Sequence, residues 1–244
     1  MGRHGRKRGG GVWKAALLVV ALAAVVLLVR GIRDRGGAAQ TSAPLATVEP
    51  TKPPETPAPT PEPTPTPWNL VLVNRSHPVP ADWSVTLVEL PSGQSIDQRI
   101  YAPLMEMFEA ARSVNLDVLP IVESGYRSEA KQRELYEKKL SELMQQGYSE
   151  AGARAETDKW VTLPGTSEHQ LGIAVDIAGA VYAIYPWLQE HSWEYGFVLR
   201  YPPDKTAVTG ISGEEWHYRY VGKEAAAEMY EKGLCLEEYL ETLN

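Results

Sequence analysis

Two histidines and an aspartate, His169, Asp176 and His217, are the residues of this chain whose types and spacing could do chemistry together. They lie in two short segments, Ser167-Glu168-His169-Gln170-Leu171-Gly172-Ile173-Ala174-Val175-Asp176 and Glu214-Glu215-Trp216-His217. Two imidazoles and a carboxylate are a standard three-ligand set for a catalytic zinc whose fourth position is left to water. In such a site the metal acidifies the water and polarises a scissile carbonyl. A carboxylate nearby can take the proton and pass it to the leaving amine. Glu214, three residues before His217, is placed for that work, whereas Glu215 would point the other way on a strand. Each residue also has a plainer reading. A lone histidine is commonly a surface or core residue, and Glu214 alone could be solvated loop charge. Asp176 is harder to set aside, because it sits in Ala174-Val175-Asp176-Ile177. A carboxylate buried in an apolar stretch needs a partner or a metal. The expectation is a Zn2+-dependent hydrolase.

Arg127, in Glu123-Ser124-Gly125-Tyr126-Arg127-Ser128, has two readings at this level. It is either a surface arginine paired with Glu123 or Glu129, or a cation facing a developing oxyanion or a substrate carboxylate.

The elements that must position these residues are mixed. Gly172, Ile173 and Val175 weigh against a helix joining His169 to Asp176. A turn at Gly172 followed by a strand over Ile173–Ile177 can bring both side chains to one ion, with His217 arriving on a neighbouring strand that continues through Tyr218–Val221. Further strands are expected at Leu70–Val73, Val85–Leu90 and Val118–Val122, the last at a sheet edge because of Pro120. Helices are expected over Tyr101–Val114, with Leu104, Met105, Phe108 and Ala111 on one face, and over Glu129–Gln146 behind the N-cap Ser128. Others follow from Ser149 to Trp160, over Tyr185–His191, Lys223–Lys232 and Leu236–Leu243. No regular βαβ repeat is visible, so the fold class is α+β, with a central antiparallel sheet flanked by helices.

Three segments precede that domain. Residues 1–11 form a basic tail, and residues 12–29 form an apolar run of 18 positions, at the short end for a membrane span. Arg30, Arg33 and Arg35 follow where a small-residue cleavage site would stand, which favours an uncleaved signal-anchor; cleavage near Gly36-Gly37-Ala38-Ala39 is the alternative. The denser positive charge before the run puts the N-terminus in the cytoplasm and the rest outside, as a single-pass bacterial membrane protein. Residues 30–67 read as a disordered linker with ten prolines between Pro44 and Pro67. Those prolines favour an extended strut of roughly 75 Å. Residues 68–244 are the domain, expected to be a monomer. They carry 15 basic and 27 acidic residues, a balance that excludes nucleic acid as a partner. The one cysteine, Cys235, excludes an internal disulfide and reads as a small buried residue.

Taken together, the motifs resemble the VanY-like D-alanyl-D-alanine carboxypeptidases over nearly all of residues 68–244. The carriers are Ser124-Gly125-Tyr126-Arg127-Ser128 with Gln132 following, the complete S-x-H-x-x-G-x-A-x-D pattern from Ser167 to Asp176, and Glu214-Glu215-Trp216-His217. Glu215 departs from the proline usual there. The resemblance implies zinc on His169, Asp176 and His217, with Glu214 as general base and Arg127 steadying the tetrahedral intermediate. It also implies Ser167 and Gln132 seating a terminal D-alanine. The implied substrate is a peptidoglycan stem peptide. L,D-carboxypeptidase action on tetrapeptide stems, endopeptidase action on cross-links, and a wall-binding module without turnover are the alternatives.

Overall fold

The β-branched Val175 and Ile177 favour extended chain over Ala174–Ala178, the strand on which the molecule is organised. Val175 and Ile177 are buried on one face, while Asp176 projects from the other. The structure, a computed structural model, describes residues 66–114, 120–179 and 181–243. The basic tail 1–11, the apolar segment 12–29 and the linker up to residue 65 lie outside the described residues. Among the described residues no helix is long and apolar enough to cross a membrane.

In chain order the strands are β1 (Leu87–Glu89), β2 (Ser95–Asp97), β3 (Ile121–Ser124), β4 (Ala174–Ala178), β5 (Phe197–Leu199) and β6 (His217–Tyr220). The helices are α1 (Tyr101–Ser113), α2 (Glu129–Gln145), α3 (Glu150–Thr157), α4 (Ile184–His191), α5 (Thr206–Thr209), α6 (Lys223–Lys232) and α7 (Leu236–Glu241). Strands β3-β4-β6-β5 form one antiparallel sheet, and β1 and β2 form a separate hairpin. The α+β class and the antiparallel sheet therefore stand as the sequence implied.

One sheet face packs into the main core, where Val122, Val175, Ile177, Phe197 and Tyr218 meet Leu104, Met107 and Phe108 of α1 and Ile184 and Leu188 of α4. Met107 takes the buried place expected for Met105, which packs only partly against the core. A second core gathers α6, α7, Val198 and Val221 around Leu70. Cys235 is buried at the start of α7, as a small core residue should be.

Two expectations are corrected. Leu70–Val73 is not a strand; a 3-10 turn over Trp68–Leu70 leads into extended chain. Its carbonyls at Asn69 and Val71 accept from Arg219 Nη2, so a side chain takes the place of a neighbouring strand. The edge strand near Pro120 runs over Ile121–Ser124, later than expected, and residues 118 and 119 lie outside the described residues. Two strands of three residues, β2 and β5, were not foreseen.

Candidate active site

Register brings the chemistry together. Asp176 on β4 pairs with Ser124 on β3 and His217 on β6, so three side chains stand in a row on the sheet face away from the main core. His169 comes from the 3-10 turn Glu168–Leu171, which ends at Gly172 with φ of 75°. That left-handed residue reverses the chain into β4; a Cβ there would meet Val85 Cγ2 at 2.8 Å. Gly125 closes the site from β3. Its Cα lies so near the β2 backbone that a Cβ would sit 2.2 Å from the Ser95 carbonyl oxygen. The Gly125 carbonyl accepts from His169 Nδ1 at 2.7 Å, and Arg127 N–H donates to the His169 carbonyl at 3.1 Å.

The donor atoms converge as a metal site requires. Asp176 Oδ1 lies 3.3 Å from His169 Nε2 and 3.0 Å from His217 Nδ1, and one ligand atom from each residue falls within 4.8 Å of the others. Tetrahedral zinc ligands at about 2.0–2.2 Å stand about 3.3–3.6 Å apart, so these separations fit with little adjustment. His169 Nε2 is buried and has no hydrogen-bond partner. Its Nδ1–H is taken by Gly125, which leaves a lone pair on Nε2 directed at Asp176. The chain's residues therefore fit a zinc ion.

Two further groups face the same point. Glu214 is buried in the loop before β6, with Oε2 3.7 Å from His217 Nδ1. Burial pushes its carboxyl up to about 7, with Asp176 adding to the rise and His217 and Arg127 opposing it. Glu215 lies in the following turn and accepts from Tyr182 Oη at 3.0 Å. Arg127 pairs with neither Glu123 nor Glu129. Its three nitrogens go to Asp176 Oδ2 at 2.6 Å, Ser124 Oγ at 2.7 Å and Gln132 Oε1 at 3.4 Å. Asp176 thus gives one oxygen to the histidines and the other to a guanidinium. Its carboxyl, which burial raises, is held well below the usual range by His169 and His217.

The row of side chains floors a cleft of about 330 Å³ whose walls include Gln132, Trp160, Ser167, Tyr201 and Trp216. Ser167 is buried and does not cap the turn it precedes. Gln132 is also buried, and its amide is committed within the protein, donating to the Thr162 carbonyl at 2.8 Å and accepting from Arg127.

Sequence reasoning missed Glu168. Its side chain is fully buried between Arg200 Nε and Arg219 Nη1, each 2.8 Å from Oε1. Arg200 also forms a fork with Glu237 on α7 at 2.7 and 2.8 Å. The signal was present: Arg200 and Arg219 each follow or interrupt an apolar, aromatic strand, where a cation requires a buried counter-charge.

An antiparallel sheet carrying Asp176 and His217, with His169 on the adjoining 3-10 turn and the buried carboxyl of Glu214 in the loop before β6, sets two imidazoles and two carboxyl groups at an open cleft, and this defines a mononuclear metallohydrolase centre. The family model described as VanY, D-alanyl-D-alanine carboxypeptidase, matches residues 93–223. A D-alanyl-D-alanine carboxypeptidase of Enterococcus faecalis is 53% identical over 180 residues, covering 72% of this chain and 66% of that protein. VanYB in complex with D-alanine-D-alanine superposes with a TM-score of 0.70 at 51% identity, over 73% of this chain and all of that one. A mutant of the vancomycin-resistance D,D-pentapeptidase VanY, in complex with Zn(II), gives 0.68 at 51% identity, over 71% of this chain and 99% of that one. This chain belongs to the VanY D-alanyl-D-alanine carboxypeptidase family.

Proposed function

We propose that this protein is a zinc-dependent D-alanyl-D-alanine carboxypeptidase that removes the terminal D-alanine from peptidoglycan stem peptides. The observation that carries this reading is the meeting of His169 Nε2, His217 Nδ1 and Asp176 Oδ1 beside the buried Glu214, at the floor of an open cleft. Zinc held there would polarise the scissile carbonyl and acidify the attacking water. Glu214, poised near neutrality, takes the proton from that water and delivers it to the departing amine. Arg127 holds Asp176 in place, and from the cleft lining its positive charge would stabilise negative charge developing on a bound substrate's carbonyl oxygen. Ser167 lines the cleft where a terminal carboxylate would enter, and Gln132 sets the angle of Arg127.

The basic, apolar and proline-rich segments of residues 1–67 support placement as a single-pass tether with the domain outside the cell membrane. A domain so placed meets the substrate proposed here.

Mass spectrometry of purified muropeptides tests the function. Pentapeptide stems are expected to lose one alanine, with wild-type but not Glu214→Gln protein. Loss of D-alanine from tetrapeptide stems alone would reassign the bond to the L,D class. Release of cross-linked halves without free alanine would make the protein an endopeptidase.

A further inference from the structure

His217 differs from His169 in how its second nitrogen is held. His169 gives its Nδ1–H to a backbone carbonyl 2.7 Å away. His217 turns Nδ1 towards Asp176 and Glu214, so its Nε2 points into the protein, buried and without a hydrogen-bond partner. The atom it faces is Glu168 Oε2, 3.7 Å away, which is likewise buried and without a hydrogen-bond partner. Two complementary orphans thus look at each other across a gap slightly longer than a hydrogen bond. Glu168 Oε1 is already taken by Arg200 and Arg219, so Oε2 is the oxygen left over.

We infer that Glu168 is a positioning residue for the metal: its Oε2 holds the Nε2–H of His217, and so fixes the tautomer that leaves the Nδ1 lone pair facing Asp176 and His169. This rests on the proposed zinc centre and adds the device that orients one of its ligands. The carboxylate stays in place because Arg200 and Arg219 clamp its other oxygen. Arg200 is in turn clamped by Glu237, and Arg219 by the carbonyls of Asn69 and Val71. A carboxylate behind a ligating histidine fixes ring orientation and raises its basicity, and losing one lowers metal affinity by about 10- to 100-fold.

Two measurements test this on the full chain. In protein loaded with cadmium-113 and labelled with nitrogen-15, metal–nitrogen coupling is expected to Nδ1 of His217 and Nε2 of His169. Coupling to Nε2 of His217 would overturn the inference without any variant having to fold. The second measurement is zinc affinity by chelator competition. Glu168→Asp keeps a negative charge for the arginines but withdraws the oxygen from His217. It is expected to bind zinc about 10- to 100-fold more weakly while still unfolding cooperatively. A variant less stable to heat yet equal to wild type in zinc affinity would make Glu168 a structural residue only. If wild type itself bound no zinc, the metal centre would fail, and this inference with it.

Discussion

Glu168 and Glu214 are both buried carboxylates beside His217, and their surroundings drive them in opposite directions. Burial raises both, but at Glu168 the charges of Arg200 and Arg219 prevail and hold it far below its ordinary value. At Glu214 burial prevails, and the group rises to about 7 from 4.5. One is therefore held as an anion, and the other is poised near neutrality for the proposed role of proton carrier. In the proposed role of base Glu214 must be ionised, so kcat/KM should rise with pH through its titration. A bound cation beside it pulls that titration down, so the acid limb should fall between about 4.5 and about 7. Glu214→Gln should lose that limb and about 10²- to 10⁴-fold in kcat, with zinc content unchanged. Steady-state rates across pH with metal analysis check this, and full activity in Glu214→Gln would end its role as base. Arg127 gives a sharper case, because three of its nitrogens serve three partners. Lysine can keep the charge but not that fork. Arg127→Lys should lower kcat by about 10- to 100-fold, and Arg127→Ala by about 10²- to 10³-fold. Equal kcat in Arg127→Ala would remove it from charge stabilisation.

At the scale of elements, the site depends on β3, β4 and β6 sharing one register, and on two glycines that let the chain approach. Gly125→Ala should be among the costliest single changes, because its Cβ would meet a backbone oxygen at 2.2 Å that no side-chain movement relieves. We expect a loss of about 2–4 kcal/mol in urea unfolding, together with weakened zinc binding, since the Gly125 carbonyl holds His169. A variant of wild-type stability would mean that β2 and β3 can separate freely. Much of this was legible beforehand. The turn at Gly172 and the strand into Asp176 follow from one glycine and three β-branched neighbours, and the helix caps at Ser128 and Ser149 are where hydroxyls belong. The failures have physical causes too. Three residues are too few for period-two alternation to declare itself, which hid β2 and β5. Leu70–Val73 has the composition of a strand, but an arginine from β6 takes carbonyls there that a strand would have used. Arg127 was legible as a candidate and not as a partner of Asp176, because that contact joins residues 49 apart in sequence.

Across the whole molecule, the buried charges join parts of the chain that are remote in sequence. Glu168 in the site turn, Arg200 after β5, Arg219 on β6 and Glu237 on α7 carry two charges of each sign, and each guanidinium reaches Glu168 at 2.8 Å. This arrangement has a consequence for acid stability. Glu168 in the folded protein is held far below the value it has in the unfolded chain. The unfolded chain therefore takes up the proton first as pH falls. The stability that Glu168 contributes is present in full above the ordinary carboxylate range and is lost progressively below about pH 4.5. Replacing it with glutamine removes that titration but leaves two buried arginines facing an amide, at a cost of about 3–5 kcal/mol near neutrality. Two results are then expected from urea unfolding of the full chain. Glu168→Gln should be much less stable than wild type at pH 7, and its stability should fall less steeply between about pH 5 and pH 3. Parallel slopes for wild type and Glu168→Gln would show that the acid sensitivity of this fold resides in other carboxylates, and that the arginines hold Glu168 less firmly than their distances imply.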